Sequence, residues 1–571
     1  MKFSGSMSIA QRKDQLLLLF LGILTFINLV QSGTTQLIYD EAYYWYFSRN
    51  LAWGYFDHPP MVAFFAAVGT ALFDNELGVR FFAPFLFSGT IFLLWKAIDD
   101  PRKYAHMWIF ILLSASVALF NAYGFFMLPD TPLLFFGALF LYAYKKFLQR
   151  PDIRIILVLG FSMAAMMYSK YHAILLIGFV ILSNPKILMR YRFWMAAVFA
   201  LVLYIPHFYW LNETDFVSLK YHLSGRANSN YKIKFTLNYL VNVLVVLGFS
   251  FPLIYWALYK FTRFASLKNH AFDRALVFTA WGIIAFFFLS SFNRKTQAQW
   301  PLLTVLPLII FAFRYALDRP GFRKWLRITS IISLVVLSMA RVILVNENIS
   351  PIKYESHGNK RWAQKLYEKT GGLPVVFEDS YRSASMYGFY SRVPVYSLNS
   401  VKHRQNQYDI DSSEYKFQHR KVAYITGRKD YDSVIKVRIG KGKGHVWRGK
   451  FVKDFRSFRK LICRVDNEKV VRGKDTLSLT LINPYNEGVA FQDLKLYGLV
   501  LDEKRRIKDT VNISLGNTGK TKVLSGESSI RLNGVMDSTR NLNDGVFFRI
   551  SVSEYGYPSG FQGDIIPIEN Q

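Results

Sequence analysis

Long apolar runs fill the first 350 residues of this chain and decide what it can become. Residues 15–31 (QLLLLFLGILTFINLVQ), 131–144, 275–292 and 326–345 are among them. Several approach the roughly 20 residues that carry a helix across a bilayer. A helix at the surface of a water-soluble protein keeps a polar face, so runs that are apolar all round predict membrane spans. The first run has no small-residue cleavage site and more spans follow it, so it reads as a span and not as a secretory signal.

Charge sets the orientation. The chain carries 70 Lys and Arg against 39 Asp and Glu, a net charge of +31, while 52% of its residues are apolar. Aromatic residues at 17% exclude disorder, and the single Cys463 excludes a disulfide scaffold. Within residues 1–350 the basic side chains cluster in short loops: Arg12/Lys13, Arg102/Lys103, Lys145/Lys146/Arg150, Lys186/Arg190/Arg192, Lys260/Arg263/Lys268 and Arg319/Arg323/Lys324. The positive-inside rule places all six in the cytoplasm. The surplus charge is therefore an orientation signal first, and no nucleic-acid partner is expected.

Alternation between those clusters predicts about eleven crossings. They lie near 14–31, 79–98, 105–127, 131–148, 154–169, 171–184, 191–210, 236–259, 275–292, 300–317 and 326–345. The apolar stretch 60–73 then fails to cross, and its length suits an interfacial or re-entrant helix. Residues 350–571 fall outside the cytoplasm. The reading is a multi-pass protein of a bacterial inner (plasma) membrane with a periplasmic C-terminal region.

This topology collects Asp40, Glu41, Asp57, His58, Asp130, Lys170, Glu213, Asp215, Arg226, Arg294 and Lys295 on one outer face. Acids converging at one side of a membrane indicate a site, because they are expensive there. The first outer loop is the richest: Tyr39-Asp40-Glu41-Ala42-Tyr43-Tyr44-Trp45, then Gly54-Tyr55-Phe56-Asp57-His58-Pro59-Pro60. Bland readings stand beside the functional ones. Asp40 suits a helix N-cap, the Tyr/Trp run an interfacial belt, Asp130 the cap of the next span, and Lys170 a snorkelling lysine.

The sequence YDEAYYWYFSRNLAWGYFDHPPM resembles the first outer loop of the GT-C membrane glycosyltransferases. The similarity is to the bacterial branch related to protein O-mannosyltransferases and the lipid A aminoarabinose transferase. It continues in order through Leu128-Pro129-Asp130-Thr131-Pro132, Tyr168-Ser169-Lys170-Tyr171 and Asn293-Arg294-Lys295 leading to Gln299-Trp300-Pro301, over about residues 10–345.

The resemblance implies an inverting hexosyl- or pentosyltransferase that moves a sugar from a polyprenyl-phosphate donor to a hydroxyl of an envelope lipid, glycan or protein. Asp40 would be the general base, with Glu41 beside it in the catalytic motif. His58, Lys170, Arg294 and Lys295 would face the donor phosphate. Asp57, Asp130, Tyr39, Tyr55 and Arg226 would contact substrate. In aminoarabinose-transferring relatives a Lys commonly precedes the Pro-Pro pair. His58 stands there instead, which points towards the branch that transfers hexoses or uronic acids. No cofactor is required, although Asp57 and His58 could hold a divalent cation. The alternative is a transporter or flippase of envelope lipids, which would repeat paired halves with interrupted helices. The sequence contains no internal repeat.

The fold class expected is thus a polytopic α-helical membrane protein of GT-C type with juxtamembrane helices, plus a C-terminal soluble region. Residues 1–349 form the membrane domain. Residues 350–444 alternate short apolar strands with a helix, as a small α/β unit. Residues 445–571 show period-2 strands broken by Asn-Pro and Asn-Gly turns, as a β-sandwich. The runs Lys441-Gly442-Lys443-Gly444 and Lys504-Arg505-Arg506 read as solvated surface with some attraction for anionic glycolipid.

Overall fold

The computed structural model describes residues 9–225, 231–264, 270–438, 445–516, 522–537, 542 and 545–570. They form two compact units, residues 1–358 and 359–571. The boundary expected at 349 falls nine residues later, after a loop that belongs to the first unit.

The first unit is built of helices. They are α1 (Ile9–Thr34), α2 (Tyr39–Ser48), α3 (Met61–Leu72), α4 (Glu76–Arg80), α5 (Ala83–Ala97), α6 (Met107–Ser116), α7 (Ala118–Ala122), α8 (Asp130–Gln149) and α9 (Ile153–Ser169). The chain continues through α10 (Ala173–Ser183), α11 (Tyr191–Glu213), α12 (Val217–Lys220), α13 (Ile233–Val245), α14 (Phe251–Phe264), α15 (Ala271–Ser290), α16 (Val305–Asp318) and α17 (Pro320–Val345).

Among the described residues six helical segments are long and apolar enough to cross a bilayer: Lys13–Thr34, Glu76–Ala97, Tyr191–Glu213, Ala271–Ser290, Trp300–Asp318 and Pro320–Val345. The other expected crossings are helical but differ from simple spans. α9 and α10 have 17 and 11 residues. α8 carries Asp130, Lys145 and Lys146 among its 20 residues. The segment expected at 236–259 is a pair of helices bent by 99°, and that at 105–127 divides at Val117. α3 has 12 residues, about 18 Å of helix, and is too short to cross, as expected.

A broken helix inside a membrane strands backbone groups that lipid cannot satisfy. Here the two breaks answer each other. Leu119 N–H donates to Val246 O at 3.1 Å, joining α7 to the bend between α13 and α14. Phe249 N–H donates to Ser333 Oγ of α17 at 2.9 Å. Gly248 turns the corner at φ +67°, a conformation that disfavours any side chain.

The loops segregate as the predicted alternation requires. Lys96 pairs with Asp14, Lys145 with Asp99 and Arg102 with Asp318, and Arg323 Nη1 lies 3.1 Å from His106 Nε2. All of these residues lie in the loops assigned to the cytoplasm or in the helix ends next to them. The loops of the other set touch one another, as described below.

The second unit opens with α18 (Asn359–Thr370) and a five-stranded sheet. Its strands are β1 (Val375–Glu378), β2 (Val395–Leu398), β3 (Arg420–Thr426), β4 (Ile435–Arg438) and β5 (Val446–Phe455), in the order β2-β1-β3-β5-β4. β2 and β3 run parallel to β1, and α19 (Tyr381–Ser391) makes the β1–β2 crossover. β5 pairs with β3 and β4, so the boundary expected after residue 444 instead follows Phe455. Those ten residues read as a strand either way, and only their non-local partners assign them to a sheet.

The rest of the unit holds β6 (Ile462–Val465), β7 (Val470–Val471), β8 (Thr476–Asn483), β9 (Val489–Ala490), β10 (Leu494–Leu501), β11 (Ile507–Leu515), β12 (Val523–Leu524), β13 (Ser528–Met536), β14 (Phe547–Glu554) and β15 (Ile565–Glu569). Eight of them form one sheet in the order β6-β8-β13-β11-β10-β14-β15-β7. The sheet curls: Cys463 of β6 bridges to Gly563, next to β15. Inward residues such as Leu479, Leu481, Leu496, Val511, Phe548 and Ile550 form its core, and buried Cys463 is one of them.

Candidate active site

α2 shows how the first loop is built. Its N-cap is Ile38, whose N–H donates to Glu41 Oε2 at 3.2 Å. A carboxylate at the third helical position reaching back in this way is half of a capping box. The cap expected of Asp40 is therefore made by Glu41. Asp40 occupies the second helical position, half-buried, where the helix dipole favours an acid. Tyr39 opens the helix and is likewise half-buried. The hydroxyls of Tyr123 and Tyr354 lie within electrostatic reach of Asp40. Burial of the Tyr354 hydroxyl raises its pKa, and the carboxylates of Glu355, Glu41 and Asp40 add to the rise.

Glu41 is fully buried against a fully buried Arg80. Arg80 Nε donates to Oε1 at 2.7 Å and Nη2 to Oε2. With Ile38 N–H already bound, Met127 N–H adds a fourth donor at 3.0 Å. The remaining guanidinium donors reach the carbonyls of Ser32, Thr35 and Gln36, so all five are used. Glu41, expected in the catalytic motif, is thus bonded on both carboxylate oxygens. Its carboxylate is consumed in fixing the end of α1, the start of α2 and the segment before α8.

Tyr55, expected at the substrate, is also internal. Its hydroxyl lies 3.1 Å from Phe47 O and 3.2 Å from Asn50 O and accepts from Ala52 N–H. Its ring stacks on Phe47 at 4.2 Å. Gly54 beside it carries the face of Trp210, since a Cβ there would sit 2.2 Å from Trp210 Cε3. Tyr55 N–H closes the next turn onto His58 O at 3.0 Å. Asp57 is buried and His58 half-buried, with its ring edge-on to Tyr44 at 5.5 Å. Among the described residues no three His, Cys, Asp or Glu side chains converge as a metal-ligand set.

Asp130 and Lys170, 40 residues apart, meet as a second buried pair. Lys170 Nζ lies 2.8 Å from each Asp130 oxygen. Asp130 opens α8 and Lys170 ends α9, so this bond ties two helix ends together, with the Tyr123 hydroxyl beside the Asp130 carboxylate. The charge expected for the donor phosphate is thus already balanced by the acid expected at the substrate.

Histidines weld the loops. His207 Nδ1–H donates to Trp53 O at 2.6 Å, which leaves Nε2 to accept from the Tyr171 hydroxyl at 3.0 Å. Ser218 Oγ lies 3.0 Å from the same hydroxyl. His222 Nε2–H donates to Asp57 O at 3.0 Å, and Arg294 Nη1 donates to His222 O at 3.0 Å. The His58 and His222 rings are 6.4 Å apart. Lys295 is exposed beside half-buried Arg294. Arg226 lies outside the described residues. Of the residues that the sequence did not single out, Arg80 had a signal: it is a lone cation at the start of an apolar run. His207 and His222 had none.

The arrangement presents a half-buried carboxylate at a helix start, a wall of aromatic and imidazole rings, and cations at the rim. A carboxylate placed in this way can take a proton from a hydroxyl within hydrogen-bond reach. Residues 57–210 match the family model described as dolichyl-phosphate-mannose-protein mannosyltransferase. The chain is 24% identical over 327 residues, 54% of its length and 67% of the relative's, to lipid A galacturonosyltransferase RgtD of Rhizobium johnstonii. In three dimensions it is similar to ArnT from Cupriavidus metallidurans in the apo state, with a TM-score of 0.56 at 14% identity, covering 77% of this chain and 98% of that one. These similarities support a place for the chain in the GT-C glycosyltransferase superfamily, and the likeness to ArnT is one of fold. The family match begins at Asp57, so α2 with Asp40 and Glu41 precedes it.

Proposed function

We propose that the glycosyltransferase moves a sugar from a polyprenyl-phosphate donor to an acceptor hydroxyl at the periplasmic face of the bacterial inner membrane. Asp40 is the general base. It takes the hydroxyl proton while the acceptor oxygen bonds to the anomeric carbon. The bond from that carbon to the phosphate oxygen breaks, and polyprenyl phosphate leaves with the electron pair. Attack opposite the leaving group inverts the anomeric centre. Arg294, Lys295 and His58 offset the charge that grows on the phosphate. Glu41 with Arg80, and Asp130 with Lys170, position the loops and touch neither reactant. Asp57 and Tyr39 contribute to the acceptor side.

The observation that carries this reading is the division of labour in the Asp-Glu motif. Glu41 takes both the cap and the arginine, while half-buried Asp40 beside it lies within electrostatic reach of the Tyr123 and Tyr354 hydroxyls. The name of the relative RgtD favours lipid A as acceptor and a uronic acid as sugar.

The test is transfer by the purified, reconstituted protein from labelled polyprenyl-phosphate sugars. Asp40→Asn is expected to lower the rate by about 10²–10⁴, the usual contribution of a positioned base. Undiminished transfer by that variant removes the assignment. Mass spectrometry of envelope glycolipids and glycoproteins from a deletion strain identifies the acceptor.

A further inference from the structure

The soluble unit carries a cavity that the transfer reaction does not use. Along β10, Leu494, Leu496 and Val500 face the core of the curled sheet. Tyr497 and Leu499 alternate with them and face the other way. The segment at 401–402 lies over this second face, anchored by Val401 N–H donating to Ser559 O at 3.0 Å. Beneath it is a cavity of about 630 Å³ lined by Lys402, Arg505, Arg506, Tyr497, Thr510 and Ser559, with aliphatic side chains between them.

The charge in this cavity is one-sided. Arg506 is answered by Asp502 at 2.6 Å, but among the described residues no carboxylate lines the cavity to answer Lys402 and Arg505. The turn that presents Arg505 is fixed by its backbone. Its N–H donates to Asp502 O at 2.8 Å, and its backbone is held at φ +57°. That region is unfavourable for an arginine without some return. Next along the sheet, Arg549, paired in register with Leu499, donates to the carbonyls of Gly563 and Phe561.

We propose that this cavity binds an anionic saccharide through a phosphate or carboxylate group. The Arg505 fork and the Lys402 ammonium take the charge. The hydroxyls of Tyr497, Thr510 and Ser559 take the sugar hydroxyls, and the Tyr497 ring offers an apolar face. A soluble sugar phosphate and the saccharide headgroup of a lipid present the same chemistry.

Isothermal titration of the full chain in phosphatidylcholine nanodiscs, with glucose 1-phosphate as probe, tests the site. Saturable binding is expected that uncharged glucose does not reproduce. The Lys402→Ala/Arg505→Ala variant is expected to bind at least about tenfold more weakly, the loss of roughly one charge-assisted contact. Both positions are exposed, and an unchanged thermal melt verifies the fold. Adding a phosphorylated glucosamine lipid to the nanodiscs separates the sources. Competition with the probe assigns the site to a lipid headgroup, and no competition assigns it to a soluble saccharide. Equal binding by the wild type and the double variant, equal binding of glucose, or no saturable binding overturns the proposal.

Discussion

Glu41 and Arg80 form a two-point ion pair with no exposed surface on either side chain. A buried pair of this kind contributes little net stability, but removing one partner leaves a charge where water cannot reach it, at a cost of about 3–5 kcal/mol. Arg80→Ala is therefore expected to lower the melting temperature of the detergent-solubilised protein sharply and to abolish transfer. Glu41→Gln keeps the cap acceptor and one Arg80 bond, so it should lose less. If Glu41→Gln loses transfer as completely as Asp40→Asn while melting normally, Glu41 acts in the chemistry and not as a support.

The same reasoning separates Asp130 from Lys170. Each removes the burial cost of the other, so their losses should not add. Lys170→Met and Asp130→Leu are each expected to destabilise more than the double variant does. Thermal melts of the four proteins in this cycle give the coupling energy. Additive losses would mean that the 2.8 Å contacts do not persist in the membrane, and Lys170 would then be available to the donor phosphate.

Gly54 tests the packing of the first loop on α11. A methyl group at this position would overlap the Trp210 ring, a rigid neighbour. Gly54→Ala is expected to reduce both stability and transfer, with an overpacking cost of about 1–3 kcal/mol. Trp210→Ala should restore part of the stability in the double variant, because it clears the overlapping atoms. No rescue would place the defect in the backbone of the loop instead of in this contact.

What could be read from sequence follows the range of the forces involved. Apolar runs reveal spans because the bilayer acts on each residue separately, and the period-2 strands at 477–482 and 494–501 were visible for the same local reason. The divisions at Val117 and near Gly248 were not, since the flanking residues are apolar and the broken backbone is satisfied by a distant partner. The burial of Glu41 is likewise set by Arg80, 39 residues on. Asp130 and Lys170 each stand out in the sequence, but as separate ligands. Nothing local announces that two charges 40 residues apart cancel.

The second unit should lose stability as pH rises. Burial pushes the Glu554 carboxyl up to about 7 and that of Asp409 up to about 6, against ordinary values of 4.5 and 3.8. Arg459 offsets only part of the rise at Glu554, with its Nε 3.2 Å from Oε1. An acid that holds its proton more tightly when folded contributes no penalty below its unfolded value. Between that value and the folded one, the unfolded chain releases its proton while the folded chain keeps it. Stability therefore falls from about pH 4.5 to about pH 7 through Glu554, by an amount on the order of 3 kcal/mol, and then levels off. Amide exchange along β14 in the full chain, corrected for its intrinsic pH dependence, reports this change. Protection should decline across that window in the wild type. In Glu554→Gln, which has no proton to lose, the decline should shrink to what Asp409 and the remaining acids supply. An unchanged slope in that variant would show that Glu554 is ionised throughout the window and held so by Arg459.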